Sequence, residues 1–196
     1  MVLGITGGLG CGKSTAARLF EGRGFRRLDS DAIVREKALT VPEAMAALRN
    51  RYGGGVFASD GSVDRTALGQ RVFSDDAERE WLEKLTHPFV FEELRTSLRP
   101  APADGGRPLW IVEVPLLFEQ KLENWFDYIV CVGCALSQQL ARLEQRGLSR
   151  ALAEQRISKQ LPLARKIESS DFVLWNEGSA DFLQAQIDRL IAALAA

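Results

Sequence analysis

One short stretch near the N-terminus, GGLGCGKST at residues 7–15, constrains the fold more than any other part of the chain. It fits the pattern G-x-x-x-x-G-K-[ST], with Gly7, Gly12, Lys13 and Ser14 at the fixed positions. The apolar run VLGIT precedes it, and a helical pattern follows it. A strand, a glycine-rich turn and a helix in this order predict a loop whose backbone amides point at phosphate groups.

The side chains of this segment fit the chemistry of a nucleotide site. The lysine can reach the β- and γ-phosphates, and the serine hydroxyl can bind Mg²⁺. For Cys11 we favour a small residue that fits the loop over a reactive thiol with a lowered pKa. The predicted nucleotide-binding residues in this loop are Gly8, Gly10, Cys11, Gly12, Lys13, Ser14 and Thr15.

Short apolar runs predict the rest of an α/β core. Strand-like runs follow at FRRLD (25–29), LWIVEV (109–114), YIVCV (128–132) and DFVLW (171–175). Runs that can be buried on both faces are typical of a parallel sheet. We therefore predict about five parallel strands with helices on both faces. A chain of 196 residues with 46% hydrophobic content can bury one such core and still carry insertions.

Helical patterns occupy the intervals between the predicted strands. A helix-rich stretch runs from about Ala32 to Leu98 and ends at the Pro/Gly loop RPAPADGGRP (99–108), which is a candidate boundary. Residues 136–160 are helical and rich in arginine, and residues 180–195 form an amphipathic helix. The chain therefore reads as strand–helix units with one long early insertion and one short late insertion.

Four acidic residues lie at the ends of predicted strands or just after them. Either Glu113 or Glu119 is expected to hold Mg²⁺ or its water, and the alternative for each is a turn cap. Asp29 and Asp31 follow the second strand, and ligands of such sheets bind beyond the carboxyl ends of the strands. We therefore expect this pair to face the phosphate loop, where a carboxylate can orient an acceptor hydroxyl and take its proton. Helix capping is the alternative.

The arginines of the late insertion suggest a lid. Arg142 and Arg146 are four residues apart and share a helical face, and Arg156 and Arg165 follow them. A mobile helical flap with arginines can close over phosphates and exclude water, which limits wasteful hydrolysis. The alternative is a solvated helix with its share of arginines.

Charge and composition limit the kinds of partner and the compartment that we expect for this chain. The 25 basic and 26 acidic residues give no argument for nucleic acid or an anionic membrane as a partner. The chain shows no signal-peptide pattern and no apolar run of membrane-spanning length, so a cytoplasmic protein is expected. Cys131 and Cys134 form a C-x-x-C pair, but a single histidine leaves too few ligands for zinc, and we expect them to pack in the core. Asn176 lacks the Lys-x-Asp that a GTPase base motif requires.

The motifs together resemble those of the dephospho-coenzyme A kinase family over nearly the whole chain. They include GITGGLGCGKST, LDSDAIVR, DGSVDRTALGQRVF, LTHPFV, VPLLFE, QQLARLEQR, RISKQ and DFVLWNEGS, in that order. The resemblance implies phosphorylation of the ribose 3′-hydroxyl of dephospho-coenzyme A by ATP with Mg²⁺. It also implies a nucleotide-binding core (residues 1–32, 99–135 and 166–196), a helical acceptor domain (about 33–98) and a lid (about 136–165).

The resemblance assigns further roles, with Asp31 as the base and Asn176 at the adenine. The complete predicted set is catalytic Asp31, Lys13 and Arg142; metal-binding Ser14 and Glu113; nucleotide-binding Asn176 beside the loop; and acceptor-binding Asp31, Arg65, His87 and Leu117. The position of Glu113 is more often aspartate in this family. His87 precedes a proline, which favours a place at the start of a helix.

Two other functions stay open on the residues alone. One is another small-molecule kinase, such as a nucleoside or shikimate kinase. The other is a regulatory ATP-binding module without turnover, against which the acidic pair after the second strand and the lid arginines argue.

Overall fold

The computed structural model describes residues 1–98 and 108–195, and within these ranges it leaves out the side chains of Phe73 and Ser74. Contacts between residues divide the chain into two units, Met1–Asp29 with Pro100–Ala196 and Ser30–Arg99. The loop predicted at 99–108 lies outside the described residues except for its last position. Among the helices that are described, none is both long enough and apolar enough to cross a membrane.

The first unit is built on a parallel sheet of five strands, as the sequence predicts. The strands are β1 (Val2–Gly7), β2 (Arg26–Asp29), β3 (Trp110–Glu113), β4 (Tyr128–Gly133) and β5 (Phe172–Trp175). Their order across the sheet is β2-β3-β1-β4-β5, so β3 separates the first two strands of the chain. The register pairs Ile5 and Asp29 with Glu113 on either side of β3. The carboxyl ends of β1, β2 and β3 therefore meet at one edge of the sheet.

Helices connect the strands and fill the second unit. In chain order they are α1 (Lys13–Glu21), α2 (Ser30–Glu36), α3 (Pro42–Tyr52), α4 (Arg65–Ser74), α5 (Asp76–Ser97), α6 (Leu136–Gln145), α7 (Arg150–Ser158), α8 (Leu163–Glu168) and α9 (Ala180–Leu194). The arginine-rich stretch at 136–160 is divided into two helices, because the chain turns at Gly147 (φ 87°). Ser149 then caps α7 by accepting a hydrogen bond from the Leu152 amide.

The core of the first unit explains the apolar strands. Leu3 and Ile5 are wholly buried in the same cluster as Phe20 of α1 and Ile187 of α9. The alternate residues of β1 point to the other face of the sheet. There a Cβ on Gly4 would lie 2.7 Å from the Phe126 ring, so this strand requires a glycine where the segment after β3 crosses it.

The second unit has its own apolar cluster. Leu39, Leu48, Val56, Leu68 and Val72 are buried there, and Trp81 and Leu82 pack against them. Aspartates cap two of its helices: Asp64 accepts hydrogen bonds at the start of α4, and Asp75 does so at the start of α5. These caps satisfy amides that have no partner inside the helix.

Candidate active site

The loop between β1 and α1 has the backbone that its glycines predict. Gly7, Gly10 and Gly12 have positive φ angles of 143°, 80° and 93°. A Cβ on Gly7 would lie 2.1 Å from the Val132 carbonyl oxygen, so no larger residue fits there. The loop ends at the N-terminus of the nine-residue helix α1, where free amides favour an anion.

Lys13 lies inside the curve of this loop. Its Nζ donates hydrogen bonds to the carbonyl oxygens of Gly7 at 3.2 Å and Gly8 at 3.0 Å. The residue is only 8% exposed, so its charge is held beside the loop backbone rather than in bulk water. A buried ammonium at this place is suited to neutralise phosphate oxygens.

A row of polar side chains crosses the sheet edge next to the loop. The Ser14 hydroxyl donates to Glu113 Oε1 at 2.6 Å. The other oxygen of Glu113 accepts from Arg27 Nη2 at 3.1 Å, and the same nitrogen lies 3.4 Å from Asp29 Oδ2. Glu113 is 4% exposed, so Arg27 supplies the charge partner that a buried carboxylate requires.

The donor set at Ser14 and Glu113 fits Mg²⁺. A hydroxyl and a carboxylate are the hard oxygen ligands that this ion prefers. Among the described residues there is no group of three or more His, Cys, Asp or Glu side chains that could hold a metal.

Glu119, the other acid predicted for the metal, has different partners. Its Oε1 lies 2.8 Å from Lys166 Nζ and accepts from the Leu161 amide at 2.9 Å. Lys166 is wholly buried and also donates to the Pro115 carbonyl oxygen at 2.7 Å. Of the two acids, the structure therefore brings Glu113 to the phosphate loop and uses Glu119 to pair a buried lysine.

Arg142 and Asn176 brace the loop from its other side. Arg142 Nη1 donates to the carbonyl oxygens of Gly10 and Cys11 at 3.4 Å each, and Nη2 donates to the Asn176 carbonyl oxygen at 2.8 Å. The Asn176 side-chain amide donates to the Cys11 carbonyl oxygen at 2.8 Å. These two residues lie at positions predicted for the lid and for adenine recognition, and here both hold the loop backbone.

Known proteins that resemble this chain identify its family. A model of the CoaE dephospho-CoA kinase family matches residues 1–181. The chain belongs to the dephospho-CoA kinase family. A dephospho-CoA kinase from Thermosynechococcus vestitus is 41% identical over 194 residues, which is 98% of this chain and 94% of that protein. One from Anaeromyxobacter dehalogenans is 40% identical, covering 98% of this chain and 92% of that protein.

Solved structures give the same fold for this dephospho-CoA kinase family member. TT1252 from Thermus thermophilus has a TM-score of 0.81 at 33% identity, with 99% of this chain and 97% of that chain covered. A dephospho-CoA kinase from Campylobacter jejuni has a TM-score of 0.69 at 24% identity, covering 98% and 96%. A shikimate kinase from Bacteroides thetaiotaomicron, at 13% identity, shares the fold with a TM-score of 0.56, covering 100% and 99%. The predicted parallel-sheet P-loop kinase fold is confirmed.

The residues predicted for the acceptor of this kinase family lie in different settings. Asp31 is exposed in the first turn of α2. Arg65 begins α4 and lines a cavity of about 310 Å³ inside the second unit, together with Arg35. Leu117 has no exposed surface, and its side chain packs over Gly4. Its side chain therefore belongs to the core of the first unit.

The predicted place of His87 at a helix start is wrong. It lies in the interior of α5, which continues through Pro88 to Ser97. Thr86 and Val90, on either side of the proline, are buried, and Thr86 donates its hydroxyl to the Leu82 carbonyl oxygen at 2.9 Å. Burial lowers the pKa of His87.

Sequence reasoning missed three residues that shape this site. Arg27 joins the two carboxylates at the sheet edge, Lys166 fixes Glu119, and Gln139 is buried beside the loop. A charged residue in a short strand was the only sign that pointed to Arg27. Gln139 packs against Gly8, since a Cβ added to Gly8 would lie 2.9 Å from the Oε1 atom of Gln139. The two residues are far apart in the chain, so no local pattern reveals this contact.

The Arg142→Ala substitution is expected to lower kcat on the order of 10²-fold, because it removes a positive charge held against the phosphate loop. Steady-state kinetics with ATP and dephospho-coenzyme A would measure it. Arg189→Ala is the control, since Arg189 is an exposed arginine on α9, outside the proposed lid, and should change kcat little. A change confined to KM would mean that Arg142 binds only the ground-state nucleotide.

Proposed function

We propose that this chain transfers the γ-phosphoryl group of ATP to the ribose 3′-hydroxyl of dephospho-coenzyme A, giving coenzyme A. The observation that carries the proposal is the family match over residues 1–181. The structure is consistent with it, because Lys13, Ser14 and Glu113 lie together at the phosphate loop. The reaction needs positioning and charge neutralisation more than covalent chemistry from the protein. The loop amides and the Lys13 ammonium are suited to both tasks.

Ser14 and Glu113 would hold Mg²⁺ in this reaction. The ion, when bound, neutralises charge on the β- and γ-phosphate oxygens. Glu113 carries one more methylene than the aspartate that is usual at this position in the family. Its contact with Arg27 at 3.1 Å limits where the longer carboxylate can point. We therefore assign Arg27 to holding Glu113 in place for the metal.

Asp31 is proposed as the base that takes the proton from the acceptor hydroxyl. Asp29 ends β2 in register with Glu113, and two residues of chain span at most about 7 Å, so Asp31 cannot lie far from that strand end. Asp29 lies 3.4 Å from Arg27, which favours a fixed carboxylate for Asp29. The base is assigned to Asp31 by the resemblance to the family, not by its contacts. A base must be within hydrogen-bond reach of the proton it abstracts in the bound state.

The two insertions are proposed to serve the acceptor and the phosphates respectively. Residues 33–98 would bind dephospho-coenzyme A, and residues 136–165 would form the lid. Arg142 already contacts the loop backbone from α6, so closure of the helices after it would bring further positive charge toward ATP. In this proposal Asn176 keeps its bond to the Cys11 carbonyl oxygen and recognises adenine through the remaining donor and acceptor of its side-chain amide.

A panel of acceptors with [γ-³²P]ATP tests the proposed substrate. Dephospho-coenzyme A should be labelled at a kcat/KM at least about 10²-fold above adenosine, nucleosides and shikimate, because its phosphates and pantetheine arm add binding that these lack. Preferred labelling of shikimate or a nucleoside would assign another small-molecule kinase. ATP binding without ADP release in the presence of any acceptor would indicate a regulatory module.

The Arg65→Ala substitution is expected to raise KM for dephospho-coenzyme A about tenfold and leave KM for ATP unchanged, because one charge-assisted contact to an acceptor phosphate is lost. Arg71→Ala is the matched control, since Arg71 is on the same helix but does not line the cavity. Steady-state kinetics with each substrate varied in turn would measure both. An unchanged acceptor KM in Arg65→Ala would remove Arg65 from the acceptor site.

A further inference from the structure

Two of the three cysteines meet beneath the phosphate loop. The Sγ atom of Cys134 lies 3.6 Å from the Sγ atom of Cys11, with the Cys134 thiol as donor. The two residues are 123 positions apart in the chain, and they are 1% and 0% exposed. We infer that Cys11 and Cys134 are a modification site, a thiol pair that a small peroxide converts to a disulfide which disables the phosphate loop.

The C-x-x-C spacing suggests a different pairing, which the fold excludes. Cys131 lies within β4, and Cys134 follows the last residue of that strand. Three residues of extended chain span about 10 Å, whereas a disulfide joins Cα atoms no more than about 7 Å apart. Cys131 and Cys134 therefore cannot bond without breaking the strand, and the sulfur within reach of Cys134 is that of Cys11.

The pKa values of the two thiols are shifted in opposite directions, as expected for a nucleophile and the thiol that donates a hydrogen bond to it. The hydrogen bond from Cys134 is the main reason that the pKa of Cys11 falls to about 7; burial opposes it, and the charge of Lys13 adds to it. This differs from the expectation from the sequence, which favoured a small residue that fits the loop over a thiol with a lowered pKa. The same hydrogen bond raises the pKa of Cys134. Burial raises the pKa of Cys131 to about 11, so this thiol stays protonated and inert.

Hydrogen peroxide supplies the oxidation. The Cys11 thiolate attacks one peroxide oxygen, the O–O bond breaks, and the products are a sulfenic acid on Cys11 and, after proton uptake, water. The Cys134 thiol then attacks the sulfenic sulfur, the S–S bond forms, and its proton leaves with the hydroxyl as a second water. A dithiol such as dithiothreitol reverses the bond by exchange.

The disulfide would deform the loop that the proposed function needs. An S–S bond is about 2.05 Å long, so the two sulfurs must approach by about 1.5 Å. Cys11 lies between Gly10 and Gly12, and its carbonyl oxygen accepts from both Arg142 and Asn176. Movement of Cys11 therefore turns the neighbouring amides and weakens the contacts that hold the loop. This consequence rests on the proposed nucleotide site, whereas the disulfide itself does not.

Peptide mapping of the full-length protein after hydrogen peroxide treatment tests the pair directly. The expected product is a cross-link between the Cys11 and Cys134 peptides, with an intact mass about 2 Da lower that dithiothreitol restores. A cross-link that involves Cys131, or stable oxygen adducts on Cys11 with no cross-link, would overturn the inference. This readout requires no substitution and no activity.

Activity under the same treatment tests the consequence. Wild-type protein should lose at least about tenfold in kcat/KM for ATP on cross-linking and regain it with dithiothreitol. Cys134→Ser keeps a donor to Cys11 but cannot form the bond, so it should lose less kcat/KM than wild type, and any loss should come with an oxygen adduct on Cys11 instead of a cross-link. Cys131→Ser, the matched control, should lose activity as wild type does. Cross-linked protein with full activity would overturn the effect on the loop and leave the proposed kinase function intact.

Discussion

The Lys13→Ala variant is expected to lose phosphoryl transfer, with kcat lowered by more than about 10³-fold. The residue is 8% exposed, and its ammonium is held 3.0–3.2 Å from two carbonyl oxygens of the phosphate loop. A charge in such a water-poor place stabilises developing negative charge more than the same charge in solvent would. The measurement is kcat for coenzyme A formation at saturating ATP, Mg²⁺ and dephospho-coenzyme A.

Controls for Lys13 must separate the charge from the packing. Lys13→Met keeps most of the apolar stem and removes only the ammonium, so it should be as inactive as Lys13→Ala while melting close to wild type. Lys84→Ala removes an exposed lysine from α5 and should leave kcat unchanged. A Lys13→Ala enzyme that turns over at nearly the wild-type rate would contradict the assignment of residues 7–15 as the catalytic phosphate loop.

The sequence predicts the parts of this molecule whose structure is decided by neighbours in the chain. The loop could be predicted because each glycine serves a local backbone angle, as at Gly10 and Gly12. Strands β1, β3 and β4 could be predicted because burial on both faces leaves an apolar run. Helix α7 starts at a serine cap, and α6 ends before a glycine in the left-handed region. The apolar periodicity predicted one continuous helix here, because the turn between α6 and α7 interrupts the pattern for only a few residues.

Contacts between distant parts of the chain could not be predicted in the same way. The strand order places β3 between β1 and β2, and this alone brings Arg27 to Glu113, 86 residues away. Lys166 gives no sign of burial in its own segment, because its partner Glu119 lies in another segment of the chain. His87 shows the opposite error. A residue before proline usually avoids the helical conformation, but α5 continues through Pro88 to Ser97.

The role of Asp31 is the least constrained part of the site, because its position in the first turn of α2 satisfies two explanations at once. A carboxylate there stabilises the positive end of the helix by about 0.3–1 kcal/mol, whether or not it does chemistry. A general base would instead contribute to the rate and little to stability. The two explanations therefore differ in which measurement they change.

The Asp31→Asn variant is expected to lower kcat by about 10²–10⁴-fold, because the amide keeps the size of the side chain but cannot take the acceptor proton. ATP affinity should stay near wild type, and the melting temperature should fall only slightly. Asp29→Asn should lower kcat less, since the Asp29 carboxylate is paired with Arg27. Asp75→Ala is the matched control for a lost helix cap, because Asp75 accepts from two amides at the start of α5 and alanine cannot. An Asp31→Asn enzyme at full speed, together with an Asp31→Ala enzyme that melts early as Asp75→Ala should, would make Asp31 a helix cap and require another residue as the base.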